Sequence, residues 1–186
     1  MENKHLSIIG FSNNRAENDY YPTPKETTEA LLIRETFEGN IWECASGEGW
    51  MSKVLEDWGY NVISSDIRTD EQVYGEKGID FLKTKRFVDN IITNPPYRYS
   101  KEFLEHSLKC SRKKIALLLK LVFLESVSRY PIFMLNNLEH IFVFSKRQKI
   151  YRLGETGENS GLIAYAWFVW NKEYYGKPMI DWINEI

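Results

Sequence analysis

The sequence predicts an α/β fold in which a doubly wound, mainly parallel sheet of about seven strands carries helices on both faces and has an antiparallel last strand. Apolar runs rich in β-branched residues alternate along the chain with segments of helical periodicity, a pattern typical of strand–helix–strand units. A long, glycine-containing loop over residues 146–160 precedes the last strand and has no convincing helix. Such a loop allows that strand to run antiparallel to its neighbours.

The expected strands are short apolar runs that stop at turn-forming or polar residues. Residues 78–82 are interpreted as either a weak third strand end or a turn, and the tail over residues 171–186 is assigned no structure. The strands are predicted over residues 41–45, 60–65, 88–93, 114–123, 140–144 and 162–170.

The expected helices follow from apolar residues that recur every three to four positions. Thr23 is suited to be an N-cap and Pro24 to be the first helical residue, so the first helix should begin there. Pro131 leaves the shape of the last helix open because proline interrupts a helix interior. The helices are predicted over residues 25–37, 50–58, 100–110 and 126–135.

Length and composition indicate one globular domain over residues 1–186, with residues 1–20 as an N-terminal extension. The net charge of −2 excludes a global basic field, so a nucleic-acid partner would have to be met by a local patch. The two cysteines have neither metal-site nor disulfide spacing, and no metal site is predicted. No signal peptide or membrane span is recognised, so a cytoplasmic location is expected.

The stretch Asn94-Pro95-Pro96-Tyr97 carries the most specific chemistry in the sequence. Each proline fixes its own φ and pushes the residue before it into extended geometry, so a buried strand should end here in a rigid corner. In such a corner the Asn94 side chain and the Pro95 carbonyl can accept hydrogen bonds from one amino group, while Tyr97 offers a flat ring for stacking. The alternative is a Pro-Pro turn that only ends the strand.

Three further groups would lie beyond the ends of predicted strands, where ligands of open α/β sheets bind. The segment Glu43-x-Ala45-x-Gly47-x-Gly49 lies between a strand and a helix. Its glycines permit close approach of the backbone to a ligand, although a plain turn explains them equally. Asp66 ends the next strand and can accept hydrogen bonds from both ribose hydroxyls, or act as a turn residue. The Asp80-Phe81 pair can grip an adenine but is uninformative alone.

Taken in this order, the motifs resemble those of class I S-adenosylmethionine-dependent methyltransferases with the N-P-P-Y motif. The closest likeness is to small phage- or prophage-type DNA adenine-N6 methyltransferases, which also begin with a Tyr-Pro-Thr-Pro segment, and it spans about residues 20–170. The resemblance implies a Rossmann-like fold and S-adenosyl-L-methionine as the cofactor. It implies that the following residues bind the cofactor: Thr23, Pro24, Glu43, Ala45, Gly47, Gly49, Asp66, Asp80, Phe81 and Asn94.

The same resemblance implies a catalytic role for Asn94 to Tyr97 in methylating an exocyclic amine, with adenine N6 in DNA preferred. The resemblance also implies that Tyr97 stacks on the substrate. Arg98, Lys149, Tyr151 and Arg152 follow predicted strands, so they would lie at the same face and contact the substrate; solvated surface, or the core for Tyr151, explains them equally. An RNA base or a protein glutamine would suit the motif as well, and a non-catalytic cofactor-binding module is a further alternative. Two departures stand out. Ala45 replaces the aromatic residue usual in the family, and no separate target-recognition domain fits, so a partner subunit could supply recognition.

Overall fold

The computed structural model describes residues 22–148, 150 and 163–184, and this part of the chain forms one seven-stranded sheet. The strand order is β2-β1-β3-β4-β6-β5-β7. β6 runs antiparallel to both of its neighbours, β4 and β5, and every other neighbouring pair is parallel. The strands are β1 (Ile41–Glu43), β2 (Val62–Ser64), β3 (Asn90–Thr93), β4 (Lys114–Lys120), β5 (Leu138–Phe144), β6 (Tyr165–Asn171) and β7 (Met179–Ile183).

Helices cover both faces of the sheet because successive strand residues point to opposite sides. Ile92 packs with the apolar stripes of α1 and α2, whereas its neighbour Ile91 packs on the α3 side. Ile132 of α4 joins the same side as α3. The helices are α1 (Lys25–Leu32), α2 (Trp50–Asp57), α3 (Ser100–Cys110) and α4 (Tyr130–Leu135).

Three tryptophans fill the centre of the sheet. Trp42, Trp167 and Trp170 are almost completely buried, and a buried indole N–H usually needs an acceptor. Trp42 Nε1 donates to Ser65 Oγ, and Trp167 Nε1 donates to the carbonyl of Thr27 in α1, each over 2.8 Å. The hydrogen bond of Trp167 fixes α1 to β6, the strand between β4 and β5.

The α/β architecture, the mainly parallel sheet and the antiparallel predicted last strand (β6) are confirmed, whereas two local predictions change. Of the two interpretations of residues 78–82, the turn is the one observed, and it leads into a short 3-10 helix (Phe81–Lys83). The seventh strand is instead β7, which lies in the tail that was assigned no structure. The last predicted helix begins at Tyr130, so Pro131 lies in its first turn, where a missing N–H costs nothing.

The prediction that Thr23 caps α1 and that the helix reaches residue 37 is wrong. Pro24 occupies the cap position, and the Thr23 hydroxyl accepts a hydrogen bond from Asn94 instead. The helix ends at Leu32, and Ile33 beyond it is 64% exposed. Glu35 then turns inward, where it is buried and ion-paired with Lys114. A long-range ion pair thus overrides the local helical pattern.

The first three strands bring their carboxyl ends to one edge of the sheet. β2 lies on one side of β1 and β3 on the other, so the strand order reverses at β1. Such a reversal leaves a crevice beyond the strand ends, because the connections leave in opposite directions. The crevice is therefore expected next to Glu43 and Asn94, the residues at or just after the ends of β1 and β3.

None of the helices in the described part of the chain is long and apolar enough to cross a membrane.

A glycine loop connects β1 to α2 at this edge. Gly47 and Gly49 have φ of 51° and 81°, in the left-handed region that glycine enters without steric cost. The loop is held under the segment around Tyr74, because Tyr74 N donates to the carbonyl of Gly47 over 2.8 Å. The Ser46 hydroxyl donates to the carbonyl of Tyr74 over 2.7 Å. Backbone geometry thus favours glycine at both positions, and close packing against Tyr74 adds to this at Gly49.

We expect Gly49→Ala to destabilise the protein more than Gly59→Ala does. Both glycines have positive φ, so both alanines incur about 1–2 kcal/mol of backbone strain. A Cβ on Gly49 would also lie 2.5 Å from Cγ of Tyr74, whereas a Cβ on Gly59 meets nothing within 4 Å. The added overpacking should cost Gly49→Ala about 1–3 kcal/mol more in the free energy of unfolding, measured by urea denaturation. Equal losses in the two variants would contradict the close packing.

Candidate functional site

A cavity of about 320 Å³ opens at the carboxyl edge of the sheet, between the ends of β1, β2 and β3. Its walls are largely apolar, and a few polar groups converge on it, which is the usual composition of a small-molecule site. Among the residues singled out from the sequence, the following line the cavity: Thr23, Glu43, Ala45, Asp66, Asp80, Phe81, Asn94, Pro95, Pro96 and Arg98. Residues from distant parts of the chain thus meet in one cleft.

Glu43 supplies a buried carboxyl group at the floor of the cavity. Its Oε1 accepts hydrogen bonds from the hydroxyl of Thr93 over 2.5 Å and from the backbone N–H of Ala45 over 3.1 Å. Burial nevertheless raises the pKa of Glu43 to about 8, because the charged form is poorly solvated there, and the nearby Asp66 adds to the rise. Glu43 is therefore mainly protonated at neutral pH and would be ionised by a cation bound beside it.

Asp66 organises the loops around the cavity. Its Oδ2 accepts a hydrogen bond from the N–H of Gly47 over 2.8 Å, and its Oδ1 accepts one from the N–H of Arg68 over 2.9 Å. Each carboxylate oxygen can accept a further bond. Asp66 therefore fixes the glycine loop of β1 and keeps the capacity to bind the hydroxyls of a ligand.

Asp80 and Phe81 form the cavity wall beside Asp66, since the N–H of Ile79 donates to the carbonyl of Asp66 over 2.9 Å. The Asp80 side chain accepts from the N–H of Leu82 over 3.1 Å and pairs with Lys83 over 2.7 Å, so it caps the short helix that begins at Phe81. The Phe81 ring is 2% exposed and packs with Phe103 at a centroid distance of 4.9 Å. The aromatic edge is thereby held rigidly at the cavity wall.

Asn94 lies at the mouth of the crevice with its amide orientation fixed. Its Nδ2 donates to Thr23 Oγ1 over 3.0 Å, and the Thr23 side chain is buried. Since the nitrogen end of the amide is directed to Thr23, the oxygen end is the acceptor that Asn94 can present elsewhere. Pro95 is buried and Pro96 half-buried, so the corner after β3 is rigid and partly shielded from water.

The Tyr97 ring lies on the other side of the Asn94–Pro96 corner from the cavity. It packs against Tyr165 of β6 at a centroid distance of 5.6 Å, and Lys120 Nζ lies 4.7 Å from its ring centroid. The ring is half-buried and is not among the residues that line the cavity. Beside the corner, but outside the cavity lining, lies an aromatic and basic group formed by half-buried Tyr97, buried Tyr165 and Lys120.

The remaining residues singled out from the sequence have varied surroundings. Arg98 lies at the cavity mouth, where its guanidinium is 4.6 Å from the ring centroid of Tyr99. Pro24 precedes α1 outside the lining, and Gly47 and Gly49 shape the loop without reaching the cavity surface. The other three residues lie outside the part of the chain that the structure describes: Lys149, Tyr151 and Arg152.

Arg129, in the connection after β4, is held by backbone carbonyls of its own turn. Its Nε donates to the carbonyl of Phe123 over 2.7 Å, and its Nη2 donates to the carbonyls of Val122 and Glu125. The guanidinium also lies 4.7 Å from the centroid of the Phe123 ring. Arg129 therefore stabilises the turn that follows β4.

Several lining residues were missed by sequence reasoning. Trp50, the first residue of α2, is 48% exposed although it is aromatic, and it lies at the rim. Arg68 and Phe103 reach the cavity from the loop after β2 and from α3. The position of Trp50 directly after the second glycine of the loop could have indicated it. The sequence pattern predicts Phe103 only as a core residue of a helix, and nothing in the sequence distinguishes it from the other core residues of that helix.

Comparisons with solved structures identify the fold. No protein-family model matches this sequence, and the search of curated proteins finds no match. A Pyrococcus horikoshii protein designated an RNA methyltransferase aligns with a TM-score of 0.65 at 17% identity, over 89% of this chain and 93% of that one. The modification subunit assigned to a type I restriction enzyme of Vibrio vulnificus aligns with a TM-score of 0.61 at 13% identity. This chain spans only 48% of that subunit, and 89% of this chain is covered.

A third structure, the magnesium protoporphyrin IX methyltransferase of Synechocystis with bound SAM, aligns with a TM-score of 0.53 at 13% identity, over 80% of this chain and 79% of that one. The chain thus has the Rossmann-like fold of the methyltransferases.

Titration of Glu43 should make the stability of the protein decrease as the pH rises. Between the ordinary carboxyl pKa of 4.5 and the folded-state pKa of about 8, the folded protein holds a proton that the unfolded chain has released. The contribution is therefore fully present below pH 4.5 and is lost as the pH rises through about 8. Glu43→Gln keeps the shape and cannot ionise. The free energy of unfolding of wild type minus that of Glu43→Gln should fall by about 3–5 kcal/mol from pH 5 to pH 9.

The measurement is urea denaturation of both proteins across this pH range, and their difference cancels groups that titrate in both. A difference that stays constant with pH would show that Glu43 ionises freely in the folded protein.

Proposed function

We propose that this chain transfers a methyl group from S-adenosyl-L-methionine to an exocyclic amino group, with adenine N6 in DNA as the preferred target. The observation that carries the proposal is the orientation of Asn94 at the rim of the cavity, fixed by its bond to Thr23. The methyltransferase fold supports it, since the cavity occupies the crevice where open α/β sheets bind their ligands.

The cavity has the groups that this cofactor needs. Asp66 Oδ1 and Oδ2 would accept from the ribose hydroxyls while they keep their bonds to the loops. Asp80 and the edge of the Phe81 ring would border the adenine. The Asp80 carboxylate could accept a hydrogen bond from the adenine amino group. Thr23, Glu43 and the start of the glycine loop at Ala45 would border the methionine part. Ionisation of buried Glu43 would be favoured by a cationic ligand, so the charge of the cofactor suits this floor.

When bound, the cofactor supplies an electrophilic methyl group on a sulfonium. The protein has to make the lone pair of the target nitrogen available. Asn94 Oδ1 and the Pro95 carbonyl would each accept an N–H of the target amine, which favours the pyramidal form in which the lone pair is localised. After the transfer the surplus proton on the nitrogen can leave to water, so no dedicated base is needed. Alignment of nitrogen and methyl group supplies the rest of the rate enhancement.

The target would approach from the side of Tyr97. Its ring would stack on the planar base, which is worth about 1–3 kcal/mol per base, and Lys120 beside it adds positive charge. A base inside a duplex must be extruded to reach this depth. Arg98 would contact phosphate at the rim. Lys149, Tyr151 and Arg152 are proposed as further substrate contacts because they belong to the connection between Phe144 and Tyr165, both at the carboxyl edge.

An RNA base is the second candidate target. The Pyrococcus protein designated an RNA methyltransferase aligns over nearly its whole length, whereas the restriction-enzyme subunit is about twice as long as the match. The same amine geometry would serve both nucleic acids. A protein glutamine fits the corner chemically, but the aromatic and basic surface around Tyr97 favours a nucleic-acid base.

The deciding experiment measures transfer of labelled methyl from S-adenosylmethionine to unmethylated DNA, bulk RNA and a cell protein extract. We expect label in DNA adenine, lost by about 100-fold or more in Asn94→Ala because one fixed acceptor is removed. Asn61→Ala, a change at the opposite end of β2, should retain wild-type transfer.

Label in RNA or protein alone would keep the mechanism and overturn the DNA target. Absence of label would favour a non-catalytic module, or dependence on a partner subunit, if the cofactor still stabilises the protein. Cofactor at about 100 times its dissociation constant should add about 2.7 kcal/mol to the free energy of unfolding. Absence of both label and stabilisation would overturn the proposal.

Thr23 is expected to act through Asn94 as a positioning residue. Thr23→Val keeps the shape but removes the hydroxyl that accepts from Asn94 Nδ2, so the amide can rotate and kcat should fall about tenfold, equivalent to about 1.4 kcal/mol. Thr23→Ser retains the hydroxyl and should restore most of kcat. Since Thr23 also borders the cavity, the dissociation constant of the cofactor is measured in parallel. Loss of kcat in Thr23→Ser together with retention of kcat in Thr23→Val would assign the role to the methyl group instead.

A further inference from the structure

A second cluster of titratable groups lies at the amino edge of the sheet, opposite the cavity. Glu35, Glu139 and His140 each offer one ligand-type atom, and these atoms all lie within 4.8 Å of one another. Glu35 is only 6% exposed, and the other two side chains are half-buried. The cluster shares no residue with the proposed methyl-transfer site, so the following inference does not depend on that function.

The fold brings these residues together through two unusual local features. Glu35 turns inward after the early end of α1. In β5, Leu138 pairs with Trp170 and His140 pairs with Val169, so Glu139 is an extra residue in a β-bulge. A bulge re-aims side chains that would otherwise alternate between the two faces of a strand. Consecutive residues Glu139 and His140 can therefore direct their polar atoms to the same point.

The hydrogen bonding within the cluster is incomplete. Glu35 Oε2 lies 2.7 Å from Lys114 Nζ, and Glu35 Oε1 lies 3.0 Å from His140 Nδ1. Glu139 Oε2 is shielded from solvent, and no donor reaches it from the residues that the structure describes. A shielded carboxylate oxygen without a donor is costly, because desolvation is not offset. A cation shared by the three residues would remove this cost.

We propose that Glu35, Glu139 and His140 bind a divalent transition-metal ion, with Zn²⁺ as the best match. Two carboxylates and one imidazole are an oxygen–nitrogen ligand set that suits zinc, with water completing the coordination. Two ligand atoms about 2.1 Å from a tetrahedral zinc ion lie about 3.4 Å apart, so the 3.0 Å separation of Glu35 Oε1 and His140 Nδ1 needs only a slight widening to hold one ion.

Lys114 has a supporting role in this arrangement. It holds Glu35 through Oε2 and leaves Oε1 directed to the site, as outer partners of metal-binding carboxylates do. The His140 ring is also held, because it stacks on Phe142 at a centroid distance of 5.0 Å and an interplanar angle of 16°. The ligand atoms are thus oriented before the ion binds.

The metal would connect elements that the cavity depends on. Glu35 follows α1, which begins beside Thr23, and Glu139 and His140 belong to β5. His140 is also paired with Met179 of the edge strand β7. A metal bridge would therefore hold α1 against the distal half of the sheet and stabilise the fold without taking part in the chemistry of the cavity.

The test uses the full chain, freed of metal with a chelator and then titrated with Zn²⁺ at pH 7.5. Calorimetry should give one ion per chain, and the melting temperature should rise by several degrees at saturation. Glu139→Gln and His140→Gln should each weaken Zn²⁺ binding at least tenfold. The matched controls Glu71→Gln and His106→Gln, which lie outside the cluster, should bind as wild type does.

Glu139→Gln changes a half-buried side chain without altering its size, and circular dichroism establishes that each variant is folded. Lower pH should weaken binding, because the imidazole and carboxylates must be deprotonated to bind the ion. The proposal is overturned if Zn²⁺ fails to bind, or if it binds equally well to the cluster variants and the controls. The second result would assign the ion to another part of the chain.

Discussion

The hydrogen bond from Thr93 to Glu43 holds the crevice at the width that the rest of the site depends on. Backbone pairing between β1 and β3 extends to Trp42 and Ile91, and beyond that point the two strands are connected through side chains. The Thr93 hydroxyl bridges the gap over 2.5 Å to a carboxyl group that burial keeps protonated at neutral pH. The carboxyl ends of β1 and β3 are thus held side by side through side chains, and both contribute residues to the cavity.

The order of elements could be predicted from the sequence because it depends on local pattern. Helix α3 has the predicted bounds, since its apolar spacing and its ends agree with one another. Helix α1 ends early because Glu35 finds Lys114, 79 residues away, and no local pattern reports such a partner. Strand β7 was missed for a related reason. Only Ile183 of its five residues is buried, so its apolar residues do not alternate as in a half-buried strand.

The candidate site was predictable to the extent that its residues stand at the ends of strands. Parallel strands bring their carboxyl ends to one edge, so Glu43, Asp66 and Asn94 were expected to meet there. The hydrogen-bond and packing partners of the site residues could not be predicted from the sequence. Thr23 looks like an N-cap in sequence, yet its hydroxyl accepts from Asn94, 71 residues away. Tyr97 was expected to face a ligand, and its contact with Tyr165 depends on a strand near the other end of the chain.

The insertion of β6 between β4 and β5 has a consequence for the order in which the molecule assembles. β5 precedes β6 in the chain but is joined to β4, and so to the strands around the crevice, only through β6. During synthesis on the ribosome, β5 emerges before β6. Because β5 does not pair with β4, its apolar residues stay unpaired until β6 (Tyr165–Asn171) has been made. Pairings this distant in sequence close slowly, because loop entropy is lost before contacts form. The half of the sheet around the crevice can therefore form early, and the distal half is the segment most exposed to chaperones and misassembly.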